Sequence, residues 1–155
     1  MSEALAAEAL RQFRLIYGAV RKHSREMERA CGVGGAQVWA LAVLARSPGL
    51  RVTELAQRLS IHPSTASNLL DKLERAGYVR RSRQAQDQRV VELSLTEAGR
   101  ALLARAPQPW SGVLTHALEQ LPEASLQRLV ADLREVTGRL QVADARAAGK
   151  PLTEL

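Results

Sequence analysis

Apolar residues recur at helical spacing along the first thirty positions. Leu5, Ala9, Phe13, Ile16, Val20 and Met27 share a stripe, and arginine and lysine fill the other face. This pattern predicts one long helix from Ser2 to about Ala30, ended by the glycines of "CGVGG". A second helix is expected from Ala36 to about Ala45, with Val38, Leu41, Ala42 and Leu44 apolar and "RSPG" closing it. "VTELAQRL" reads as a short helix through Leu55, Ala56 and Leu59, and "SIHPS" as a turn. Pro63 suits the first position of the next helix, where its missing N–H costs nothing, and Gly77 suits its end. The period then switches from helical to alternating. "YVRRSR" reads as a strand, "QAQDQ" as a tip and "RVVELSL" as the return, with Val90, Glu92 and Ser94 on one face and Val91, Leu93 and Leu95 on the other. Thr96 is a good N-cap for "EAGRALLARA". Pro107 and Pro109 interrupt the helical pattern, which resumes through "WSGVLTHALEQL". Pro122 opens a last helix striped by Leu126, Leu129, Val130, Leu133, Val136 and Leu140.

Helix, short helix, turn, helix and two-stranded hairpin, in that order, spell a winged helix-turn-helix. The fold expected is therefore mainly α with a small β-hairpin wing, the winged unit being flanked by long helices. Its domain plan assigns 35–100 to the winged helix-turn-helix, 1–34 and 101–142 to a helical dimerisation region, and 143–155 to a flexible tail with little to bury. Aromatics make up only 3% of the 155 residues, so alanine and leucine must carry the core, which agrees with a helical fold.

Charge changes the picture next. The net charge is +6, which points to an acidic partner, with nucleic acid first. The charge is also local. Between residues 75 and 89 stand Arg75, Arg80, Arg81, Arg83 and Arg89 against the single acid Asp87, five positive charges minus one for +4. In the helix from Pro63, Ala66, Leu69, Leu70 and Leu73 must face inward, which leaves Ser64, Thr65, Ser67, Asn68, Asp71, Lys72 and Arg75 outward. Short hydroxyls and an amide at a helix start can hydrogen-bond base edges and phosphates. A polar helix start alone is common. Followed at once by an arginine-bearing wing, it makes a coherent surface for double-stranded DNA, with Ser64, Thr65, Ser67, Asn68, Lys72, Arg75, Arg81, Arg83, Asp87 and Arg89 as the candidate contacts.

"VTELAQRLSIHPSTASNLLDKLERAGYVRR", followed by "DQRVVELSLTEAGR", resembles the MarR family of multiple-antibiotic-resistance regulators over roughly residues 10 to 142. The wing signature of that family, an Asp, any residue, an Arg, then Leu-Thr and a Gly, is matched by Asp87, Arg89, Leu95, Thr96 and Gly99. The resemblance implies that Arg89 enters the minor groove from the wing tip while Asp87 holds it or a neighbouring arginine. It also implies a homodimer of interlocking terminal helices on a pseudo-palindromic operator, acting as a repressor. Departures from the usual pattern are Asn68 and Gln88, where basic residues are common, and Gly34–Gly35 in place of a threonine cap.

The same resemblance implies a sensor, because small aromatic or phenolic acids bind between dimer region and winged helix in such proteins. Arg14, Tyr17, Arg21, Trp39 and Trp110 are the candidate effector residues, with His23 beside them. Tyr17 and Arg21 are four apart on one helical face. The plainer readings are core for the two tryptophans and surface for His23. Cys31 cannot form an intrachain disulfide, suits a reducing cytoplasm, and reads as a structural thiol. His23, His62 and His116 have no metal-ligand spacing, and no nucleophile–base pattern stands out, so neither an enzyme nor a metal or cofactor is expected. No apolar run reaches the ~18–20 residues a membrane span needs, and Glu3 and Glu8 do not suit a signal peptide. The rival readings are a winged helix for protein docking, which should lack a basic wing, and a nonspecific architectural DNA binder.

Overall fold

The computed structural model describes residues 1–140 and 145–154. Among the described residues, seven helices and one hairpin follow in the order α1 (Ser2–Cys31), α2 (Gly35–Arg46), α3 (Val52–Leu59), α4 (Pro63–Arg75), β1 (Val79–Arg83), β2 (Val91–Leu95), α5 (Glu97–Arg105), α6 (Val113–Glu119) and α7 (Glu123–Arg139). Two short 3₁₀ turns, Ala145–Gly149 and Leu152–Glu154, come last. This is the mainly helical fold with a β-hairpin wing that the sequence calls for.

The core is built around α2, whose Val38, Ala40, Leu41, Ala42 and Leu44 are all buried. Leu55 of α3, Leu70 and Leu73 of α4, Leu93 of β2, Leu102 of α5 and Met27 of α1 close on it, each with essentially no exposure. Apart from Ala40 and Leu102, these are residues that the helical stripes and the strand alternation place inward. The hairpin is antiparallel, registered Val79↔Leu95, Arg81↔Leu93 and Arg83↔Val91. Leu50, just before α3, adds an isolated bridge to Leu93, so the wing is sewn to the helix-turn-helix from a second side.

Two boundaries differ from the sequence pattern. α6 starts at Val113, not at Trp110, because Gly112 takes φ 92°, a left-handed conformation outside any helix. The tail differs more. Within it, residues 145–154 return across the molecule, and the His62 N–H donates to the Gly149 carbonyl at 3.1 Å. Gly149 is buried, so this segment is docked, not loose. The end of the expected dimerisation region at 141–142, and residues 143, 144 and 155 of the expected tail, lie outside the described residues.

The flanking helices behave otherwise. Residues 2–19 of α1 are exposed throughout, and only His23, Met27 and Cys31 of that helix are buried. α7 has no buried residue at all. Among the described residues no helix is long and apolar enough to cross a membrane.

Candidate nucleic-acid interface

α3 and α4 are joined by a tight turn in which Ser60 adopts φ 54° and the Ile61 N–H donates to the Ala56 carbonyl. Pro63 sits in the first turn of α4 with no side-chain cap ahead of it. Buried Ala66, Leu69, Leu70 and Leu73 fix the helix's rotation. Ser64, Asn68, Lys72 and Arg75 are consequently exposed, and Thr65, Ser67 and Asp71 half-buried at the margin. The structure thus gathers the helix residues that the sequence nominated onto one solvent-facing strip.

The wing is held to that helix by charge. Arg81 Nη1 donates to Asp71 Oδ1 at 2.8 Å, and its Nε lies 3.7 Å from Glu74 Oε2. Expected among the free wing arginines, Arg81 instead spends its guanidinium on two carboxylates of α4. Asp71 and Glu74 sit three apart on α4, so both reach the same strand residue.

At the tip, Asp87 grips Arg89 through three hydrogen bonds. Its carboxylate accepts from the Arg89 backbone N–H at 3.0 Å, from Nε at 3.1 Å and from Nη2 at 3.3 Å. Arg89 remains 91% exposed on its side chain. The pair therefore fixes the direction of a cation and leaves its charge presented to solvent. These bonds from Arg89, with the positive charge of Arg51 further off, hold the Asp87 carboxyl below the usual carboxylate range. A depressed pKa keeps the grip in place at neutral pH and releases it only as pH falls through that lowered value. Arg83 donates to the Gln88 carbonyl at 2.6 Å, and the Val90 N–H to the Asp87 carbonyl, which closes the turn. Arg51, at the start of α3, was not singled out in the sequence because it lies 36 positions before Asp87.

The rest of the wing signature has a structural meaning of its own. Thr96 Oγ1 accepts from the Gly99 N–H at 3.1 Å and donates to the Gly77 carbonyl at 2.6 Å. Its own N–H donates to the Tyr78 carbonyl. At Gly99, a Cβ would lie 2.2 Å from that same Tyr78 oxygen. Thr96 and Gly99 clamp the end of α4, the base of the wing and the start of α5 together.

The effector candidates do not converge. Arg14, Tyr17 and Arg21 lie on the exposed part of α1, where Arg21 stacks over the Tyr17 ring at 5.7 Å. Trp110 packs against the core, its Nε1 donating to the Ala106 carbonyl. Only Trp39 lines the cavity of about 210 Å³ between α1, α2, α6 and the docked C-terminal segment. His23 also lines it. Read as a surface residue from sequence, it is buried, with Nε2 3.1 Å from the Pro109 carbonyl oxygen. Cys31 is buried too, and burial pushes its thiol pKa up, which keeps it protonated at neutral pH. No group of three or more metal-ligating side chains occurs among the described residues.

A three-helix unit carrying a hairpin wing beside its exposed helix defines the winged helix-turn-helix class. Comparison with known proteins agrees. Residues 32–90 match the model of the MarR family. Over 68 residues the chain is 38% identical to the HTH-type transcriptional repressor MdtR of Bacillus subtilis, covering 44% of each chain. The match likewise spans less than half the length of other relatives over this stretch. The repressor YetL of the same organism is 27% identical over 141 residues, covering 88% of this chain and 84% of its own. Among solved structures, that of Sco3205, a MarR family transcriptional regulator from Streptomyces coelicolor in complex with DNA, superimposes with a TM-score of 0.61. It is 28% identical and covers 90% of both chains. The likeness to the MarR family model thus lies on residues 32–90, the helix-turn-helix and most of the wing.

Proposed function

We propose that the protein is a sequence-specific DNA-binding transcriptional regulator that represses by occupying pseudo-palindromic operators as a homodimer. The observation that carries this reading is the Asp87–Arg89 pair, a guanidinium aimed by two hydrogen bonds, with a third from its backbone N–H, yet 91% exposed. An isolated surface ion pair contributes roughly 0–1 kcal/mol to folding, so stability is a weak reason for it. A pre-aimed cation at the tip of a wing suits a narrow minor groove. The strip Ser64, Thr65, Ser67, Asn68, Lys72 and Arg75 then meets the major groove, with Arg83 and Asp87 shaping the wing and Arg81 bracing it. The DNA-bound relative from Streptomyces coelicolor supports the same placement by likeness.

Two further parts belong to this reading. The exposed apolar residues of α1 and α7, among them Phe13, Ile16, Val130 and Val136, with Leu140 just past the end of α7, favour a second copy as their cover. The cavity beside Trp39 and His23 suits a small aromatic acid that shifts the population between DNA-binding and released arrangements.

The test is Arg89→Ala, measured by fluorescence anisotropy on a duplex selected from random sequence by the wild-type protein. Affinity is expected to fall by about tenfold or more, and the slope of log K against log salt to weaken by about 0.9 per site. Unchanged affinity and slope would refute the wing contact.

A further inference from the structure

The C-terminal segment passes beside the surface just described. The Gly149 carbonyl accepts from the His62 N–H at the very start of α4. The fit is close, since a Cβ on Gly149 would sit 1.7 Å from His62 Cδ2. One residue on, Lys150 borders a cleft of about 240 Å³ with Gln37, Thr65, Asn68, Leu69 and Lys72. Three of those five, Thr65, Asn68 and Lys72, belong to the DNA-facing strip of α4. The cleft thus holds two ammonium groups, two amides and a hydroxyl, and none of its lining residues is acidic. Neither lysine is in an ion pair among the described residues. Two cations placed on one polar cleft repel one another, and an anion between them removes that cost.

We propose that the segment 145–154 is a strap that delivers Lys150 to the DNA interface, where Lys150 and Lys72 together take one backbone phosphate. This rests on the reading of α4 as the DNA-facing helix. The strap stands at the edge of the strip and does not roof it. Ser64, Asn68 and Lys72 all stay exposed with the strap in place, which favours a contact over a cover. Contact to phosphate carries no base information, so the strap adds affinity and fixes register without altering the sequence read by Ser64 and Asn68.

The experiment uses the full-length protein and a 30-base-pair duplex of mixed sequence, titrated between 50 and 200 mM salt. Lys150→Ala is expected to weaken binding on the order of tenfold at 50 mM and to lower the salt slope by about 0.9 per chain. Gly149→Val, which unseats the strap, should show the same loss, and adding Lys150→Ala to it should cost nothing more. Lys150 is exposed, so its removal should leave the thermal melt in place. Arg89→Ala separates the two readings. If Arg89→Ala weakens binding while Lys150→Ala matches wild type, the strap proposal is wrong and the wing stands. If Lys150→Ala or Gly149→Val binds more tightly, the segment is a cover and the proposal is equally wrong. Should the wild-type protein ignore the duplex even at 50 mM salt, the DNA reading itself fails, and the strap with it.

Discussion

At the scale of single residues, the wing signature divides into two jobs that its spacing in sequence does not separate. Asp87 and Arg89 face outward, whereas Thr96 and Gly99 face the joint between hairpin and α5. Gly99 is glycine because the Tyr78 carbonyl leaves no room for a Cβ, at 2.2 Å. Gly99→Ala is therefore expected to destabilise the fold by about 1–3 kcal/mol, as overpacking against rigid backbone does. Urea titration of wild type and variant checks it, and a change under about 0.5 kcal/mol, the range of an ordinary surface substitution, would contradict the clash. The sequence displays these residues as a motif. It could not tell which of them touch solvent, because the deciding neighbour, Tyr78, lies 21 positions before Gly99. His23 was opaque for the same reason: its partner carbonyl, Pro109, is 86 positions away. Arg81 looked like one more free arginine until the two acids of α4 were brought beside it.

Elements were far more legible than contacts. The helical stripes of α1, α2, α4 and α7 and the alternation of β2 each depend on neighbours within a few residues, so periodicity alone reveals them. Where a backbone conformation intervenes, as at Gly112, or where a segment docks on residues far away in sequence, as Gly149 does on His62, periodicity is silent. The strap has no stripe to read. The junction of α4 with β1 makes a prediction at this scale. Arg81, 28% exposed, ties the wing to the exposed helix through Asp71 and Glu74, side chains that are themselves 40–43% exposed. Arg81→Ala should cost up to about 1 kcal/mol of stability. It should leave the salt slope of DNA binding near wild type, unlike Arg89→Ala. A slope lowered as far as that of Arg89→Ala would mean that Arg81 leaves its carboxylates to meet phosphate.

On the scale of the whole molecule, the chain has a well-packed centre and two uncovered arms. α1 runs for 30 residues, about 45 Å, and only its final third touches the core. With homodimerisation as the proposed cover, Ile16→Glu combined with Val136→Glu should convert the particle from twice the chain mass to a single copy in sedimentation at micromolar protein. Winged-helix contacts such as Thr96 to Gly77 should survive, since they lie in the other half of the molecule. Wild type sedimenting as a single copy under the same conditions would remove the dimer from the proposal. The uncovered arms also set a thermodynamic condition. A chain whose outer helices find their cover only in another molecule does not have one melting temperature; its midpoint climbs as the solution is made more concentrated. Scarcity alone would then loosen the frame that spaces two wings, so the number of copies a cell keeps would tune how firmly each pair grips its site.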